Sequence, residues 1–372
     1  MKFISIFAAV AAGAGAAVAA PQYSIVDLGV VSGDTASQAM RISAGGVVTG
    51  RSLGGGSFSH AFSWTQGGGM VTLPNLASPA RNYAVGNGVN DSGTVVGTGA
   101  TNLSGSSPLA LKWKNGVVTQ LGMPAGYTIS RANQVNNSDV AVGSVGSGTG
   151  ERAVIYTGST ASVITQTSAT GCYGITAFGI NDSGLIVGFG ADPNNAARNV
   201  GFVHDMVTGN TYEVGALAGM NGAICYSVSN AGYVVGASML NQGFGQSFIW
   251  SQATGMTAIP LVTGASSSSA RGVNSSGWAV GTGSGAKAIP FLFDGTTTYR
   301  LADLIAAGGA GWDLVNNTSS SAMGISDDGT IVGTAVINGQ THAYAMALIP
   351  SPSAAALLGV GSLLTATRRR RS

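Results

Sequence analysis

The 372-residue chain is poor in charge: Asp, Glu, Lys and Arg together make up 8% of it. Only two of its acids are glutamates, Glu151 and Glu213, and it has three histidines, His60, His204 and His342, and two cysteines, Cys172 and Cys225. Each scarcity narrows the chemistry. Glycoside hydrolysis needs two carboxylates flanking one bond, and no Asp is tied in sequence to either Glu. Without a Cys-x-x-Cys there is no ligand pattern for zinc or dithiol redox chemistry. The few histidines leave little general base for the abundant serines, and no Gly-x-Ser-x-Gly elbow joins a strand to a helix. Calcium loops of the Asp-x-Asp-x-Asp-Gly kind are missing, although Asp327 and Asp328 stand side by side. The net charge of +2 misleads. Setting aside Lys2 and Arg368–Arg371 in the terminal segments leaves 11 of the 16 basic residues against 14 acidic ones. No basic stripe remains to follow a phosphate backbone, so nucleic acid is not an expected partner.

Glycine, by contrast, is abundant at 59 residues, and 45% of the chain is hydrophobic. The glycines keep no three-residue period, which excludes collagen. They mark a repeat. A nine-residue element reads ISAGGVVTG from Ile42, VNDSGTVVG from Val89, VNNSDVAVG from Val135 and INDSGLIVG from Ile180. It then reads VSNAGYVVG from Val228, VNSSGWAVG from Val273 and ISDDGTIVG from Ile325. Successive copies start 45–52 residues apart. A strand ends at Ile or Val, a turn of Asn, Asp and Ser caps itself, and Gly takes the left-handed conformation before a Val-rich strand leaves. Asp139 holds the glycine position in the third copy.

Each hairpin is followed by a second element: HAFSW from His60, LALKW from Leu109, RAVIY from Arg152, VGFVH from Val200, QSFIW from Gln246, IPFLF from Ile289 and HAYAM from His342. Its third and fifth residues share one strand face, so Trp64, Trp113, Tyr156, Trp250 and Phe293 read as packing between units. Trp278 and Trp312 fall outside that register and are the candidates for exposed aromatic contacts. His60 and His342 occupy equivalent places in the first and last units. A third strand element closes six units but is missing after the seventh. SIVDLG, Ser24 to Gly29, has its pattern at the opposite end of the chain.

That offset favours a closed ring over an open solenoid, which would need polar caps at both ends. The expected fold is an all-β, seven-bladed β-propeller over 22–349, closed by the N-terminal strand, with about four strands per blade. A β-solenoid or a pair of β-sandwiches is the alternative.

Both ends read as addresses. Residues 1–19 form a signal peptide: Lys2, an apolar run of small residues, then Ala-Val-Ala. The cut is placed after Ala19, before Ala20, because a cut one residue later would put Pro21 at the scissile bond. Residues 350–372 hold Pro350, Ser351 and Pro352, an apolar run expected to form a short helix, and Arg368, Arg369, Arg370 and Arg371. Thirteen apolar residues are short for a span, which needs about 20, but the trailing cations make a stop-transfer pattern. An exported chain permits a disulfide between Cys172 and Cys225.

The tail resembles the PEP-CTERM sorting signal of bacteria, with Ser351 where that signal carries Glu. The resemblance implies processing by an exosortase after signal peptidase has acted, and at least transient contact with the membrane. SHAFSW and THAYAM, each following the hairpin element, resemble the HAF repeats of bacterial extracellular proteins, which implies secretion and a repeat fold. The expected function is a non-enzymatic scaffold or binding module of the cell envelope, cell surface or extracellular matrix. Its expected partners are polysaccharide or other surface proteins, and no cofactor or metal is called for. The alternative is a carbohydrate-binding or glycan-cleaving propeller.

Overall fold

The computed structural model describes residues 20–350 apart from 55–57, 78–81, 102–105, 149 and 242. Tyr23–Ile349 forms one compact unit. It is all-β. Its one described helix is a single 3-10 turn at Leu301–Leu304, and among the described residues no helix is long and apolar enough to cross a membrane.

Each of the first six repeats folds into four antiparallel strands in chain order. The third repeat is representative, with strands Ile129–Val135, Val140–Ser147, Gly150–Thr157 and Thr160–Val163. The nine-residue element is the turn between the first two strands. In the second copy Gly93 N–H donates to Asn90 O and Asn90 N–H to Thr94 O. Gly93 has φ 76° and Asp139, in the same place, φ 59°. Position five therefore selects for tolerance of left-handed backbone, as the sequence implied.

The glycine at position nine has a different cause. In every repeat the first strand carries a β-bulge against the second, for example between Ala132 and Gln134 and between Cys225 and Ser227. Facing the bulged strand, the second strand comes very close to a backbone carbonyl. A Cβ built on Gly143 would sit 1.9 Å from Arg131 O, on Gly236 1.9 Å from Ile224 O, and on Gly333 2.0 Å from Ser321 O. No side chain fits there.

The seventh repeat has three strands of its own, Ser321–Ile325, Ile331–Ile337 and Gln340–Ile349. Its fourth neighbour is the N-terminal strand Gln22–Asp27. Leu28 N–H donates to Ala343 O at 3.0 Å, Ser24 Oγ lies 3.5 Å from Ala347 O, and His342 Nδ1 lies 2.8 Å from Asp27 Oδ2. Tyr23 and Ile25 are buried with Tyr344 and Met346, and Leu28 is buried with Ile42, Phe62 and Val332. The strand patterned like a closing element thus lies where one is missing.

Residues three and five of the second element fill the core. Phe62, Leu111, Val154, Phe248 and Tyr344 are fully buried, as are Trp113 and Tyr156. Trp113 Nε1–H donates to Pro74 O of the preceding repeat at 2.7 Å. Trp278 and Trp312 correct an expectation: both are half-buried and packed against the apolar cluster of the seventh repeat. The disulfide is a second correction, since Cys172 and Cys225 are free, buried thiols. Aligned on their hairpins, the two are five residues out of register, about 17 Å along a strand, whereas a bridge needs Cα atoms within about 7 Å.

Candidate functional site

All seven hairpin turns converge on one polar cavity of about 100 Å³, with lining residues from Ser43 in the first copy to Asp327 in the seventh. Two tiers of hydrogen bonds join its walls. In the upper tier, the second-position Asn of one copy donates through Nδ2 to the second-position carbonyl of the next. Asn90 reaches Asn136 O, Asn136 reaches Asn181 O, Asn181 reaches Ser229 O and Asn274 reaches Ser326 O, all at 2.9–3.2 Å. The same side chains cap their own turns through Oδ1: Asn136 accepts from Ser138 N–H and Val140 N–H. In the lower tier, the third-position side chain accepts a backbone N–H from the copy before. Asp91 accepts from Gly45, Asn137 from Asp91, Asp182 from Asn137, Asn230 from Asp182 and Asp327 from Ser275.

These contacts set the charge state of Asp91. Burial works against the Asp91 carboxylate, but the Gly45 N–H and the Asn137 and Ser43 side chains hold it below the usual range. Asp328 points back into its own turn, to Ser326 Oγ and Thr330 N–H, while Asp327 reaches Ser275. The adjacent pair therefore diverges, and among the described residues no three His, Cys, Asp or Glu side chains form a metal-holding group.

The bulged residues lie just before the cavity-lining Ile or Val of each copy. Asn87 and Asn133 donate through Nδ2 to Ala132 O and Ala177 O of the following repeats. Phe178 packs on Tyr226 with centroids 5.4 Å apart, and the Arg271 guanidinium lies 3.8 Å from the Tyr226 ring centroid. Arg41 then ties three repeats together, donating to Tyr226 O, Arg271 O and Met323 O at 2.8–3.0 Å. Burial, with Arg271 adding to it, pushes its pKa down to about 10, so it stays protonated at neutral pH. Among the described residues no carboxylate pairs with it. Gln134 Oε1, also in the lining residues, is buried without a hydrogen-bond partner among them. A cavity of this size holds a few waters and is too small for a ligand of ordinary size.

Other titratable residues are placed singly. His60 Nδ1 lies 3.0 Å from Asp34 Oδ2, and His342 pairs with Asp27, so the two histidines are each bound to a separate acid. His204 is buried against Thr211 Oγ1, and burial lowers its pKa. Glu151 pairs with Arg131. Glu213 pairs with Arg198 and accepts from Ser168 and Thr170. Burial raises the pKa of the Cys225 thiol and of Cys172, which favours the unreactive form of both. Of the terminal signals, Ala20 and Pro350 are exposed and lack regular structure. Ala19, Ser351, Pro352, Arg368–Arg371 and the expected C-terminal helix lie outside the described residues.

Sequence reasoning missed Arg41 and the outward half of each Asn. Arg41 had a signal, because the equivalent residues are Gly88, Gln134, Gly179, Ser227, Gly272 and Gly324, and a lone charge in that register is anomalous. The Asn signal was its alternation with Ser43, Ser229 and Ser326: a turn cap needs only an acceptor, so the extra amide calls for another partner.

No family model matches the chain, and no curated protein matches it. Solved structures do, at low identity. TolB from Acinetobacter baumannii is similar at 10% identity and a TM-score of 0.44 over 70% of this chain, which spans 62% of the TolB chain. A gluconolactonase from Xanthomonas campestris matches at 9% identity and a TM-score of 0.41, covering 88% of this chain and 90% of the other. A mutant of AofleA from Arthrobotrys oligospora matches at 11% identity and a TM-score of 0.38, with the same coverages.

Proposed function

We propose that the protein is an exported scaffold or binding module of the cell surface or matrix. Its body is a seven-bladed β-propeller closed by the N-terminal strand, and its C-terminal tail is a sorting signal. The observation that carries this reading is the use of the repeat's polar groups. The hairpin Asn and Asp side chains bind neighbouring repeats, so the repeated surface builds a rigid support. The N-terminal strand beside Gln340–Ile349 supports closure, because it supplies the seventh repeat with its fourth strand. The two address-like ends support export, with signal peptidase and an exosortase as processing partners and polysaccharide or surface proteins as the targets of the blade loops.

Fractionation of the native host with mass spectrometry of both mature termini tests this. The expected product begins at Ala20, lacks Arg368–Arg371 and is recovered from the surface or matrix fraction. An intact chain confined to the cytoplasm would overturn it.

A further inference from the structure

The longest spacing between hairpins, 52 residues, lies between the sixth and seventh copies. Its extra residues form a strap. Leu301–Leu304 makes a 3-10 turn, and Ile305–Ala307 pairs parallel to the N-terminal strand, with Ile305 opposite Tyr23. Trp312–Asp313 then pairs with the far end of Ile331–Ile337, with Trp312 opposite Ile337. The strap therefore joins two different strands of the seventh repeat's sheet. Within it lies a cavity of about 340 Å³ lined by Ile305, Gly309, Trp312, Asp313, Val315 and Asn316, among others. That volume is within the range of small-molecule sites.

The lining is amphipathic in a particular way. Trp312 is half-buried and set edge-on to Tyr344 at 6.1 Å, which fixes its plane. Ile305 and Val315 add aliphatic surface. Asp313 Oδ1 accepts from Val315 N–H and Asn316 N–H, and the Asn316 and Asn317 side chains also interact with the carboxylate, which holds it in place at the cavity wall. The amides of Asn316 and Val315 hold Asp313 below the ordinary carboxylate range, so it is ionised at neutral pH. No Lys, Arg or His lines the cavity, which disfavours anions such as phosphates and uronates. One carboxylate is too few for a metal ion. One aromatic ring is too few for the cage that recognises a quaternary ammonium. A pyranose fits what remains, since one of its faces is C–H-rich and apolar while its rim carries hydroxyl donors.

We propose that the strap cavity binds a neutral pyranose unit of a saccharide, stacked on Trp312 and hydrogen-bonded to Asp313, with Asn316 at the mouth. The inference rests on the binding-module reading and names its ligand class. The export test is separate, because the mature termini and the cellular fraction do not depend on whether sugar binds. Isothermal titration calorimetry on the full chain tests it with tetrasaccharides of β-linked glucose, galactose or N-acetylglucosamine, and with choline. Saturable binding of at least one tetrasaccharide is expected. Trp312→Ala and Asn316→Arg should each weaken it at least tenfold, and Tyr212→Ala, exposed in another repeat, should leave it within twofold. Asn316 is exposed, so its variant keeps the test valid if Trp312→Ala does not fold. No saturable binding to any of the three sugars, binding indifferent to both strap variants, or displacement of the sugar by choline would each overturn the proposal.

Discussion

The hairpin turns and the strap use the same residue types to opposite ends. In the turns, Asn90, Asn136 and Asn181 direct Oδ1 to their own backbone and Nδ2 to the next repeat, and Asp91 and Asp182 accept N–H groups from the repeat before. In the strap, Asp313 and Asn316 stand beside an aromatic ring at a cavity more than three times larger. The turn residues recur because each copy must match its neighbours. The strap residues occur once, in the segment that departs from the period. In this protein repetition marks the joints, and the break in repetition marks the place with room for a ligand.

The sharpest way to break that contrast is at position nine. Gly236→Ala places a Cβ 1.9 Å from Ile224 O. A backbone clash in a close-packed sheet should cost about 3 kcal/mol or more, measured as a fall in urea midpoint. A neutral result would mean that the bulge does not force the close approach. Next in size is a comparison at Asn136. Asn136→Ala removes the turn cap and the inter-repeat donor together and should cost about 2 kcal/mol. Asn136→Ser keeps a neutral turn acceptor, as Ser43 and Ser229 supply in their own copies, but has no amide for Asn181 O, and should cost about 1 kcal/mol. Equal losses would assign the whole effect to the turn.

The smallest effect is acid sensitivity. The folded-state pKa of Asp91 is depressed, so the folded state holds fewer protons than the unfolded chain between that value and the ordinary one. Its stabilisation is complete above the ordinary carboxylate range and disappears as pH falls through the lowered value. The Asp91 contribution to the melting temperature should be level from pH 7 to about 5 and fall below about 4, whereas the buried His204 makes its own, separate loss as pH drops below about 6.5. Asp91→Asn should make that fall shallower. An unchanged acid limb would remove Asp91 from the joint.

Much of this was legible in the sequence because it followed from local rules. The turn glycines needed positive φ, and the large residues of the second element alternated with strand period. SIVDLG showed the pattern of a strand missing three hundred residues later. What escaped depended on neighbours distant in sequence. The reason for Gly236 lies in a carbonyl of the facing strand, moved by a bulge that no local pattern announces. Arg41 is explained only when three other repeats bring their carbonyls to it. The path of the strap, which packs Trp312 into the same cluster as Trp278 and also sets it at the cavity, depends on which sheet edges were left open to pair. Cys172 and Cys225 stand 53 residues apart, close to one repeat, yet their register within the repeat differs by five residues, and only the folded hairpins reveal that offset.

Closure is most directly tested by a covalent link between the ends of the chain. Cysteines at Ser24 and Ala347, where Ser24 Oγ meets the Ala347 carbonyl, would be introduced with Cys172 and Cys225 replaced by alanine. Oxidation should convert the monomer almost fully to a faster-migrating species on a non-reducing gel, and reduction should reverse it. A monomer that stays uncrosslinked, or links only between molecules, would contradict a body in which the first strand completes the last repeat.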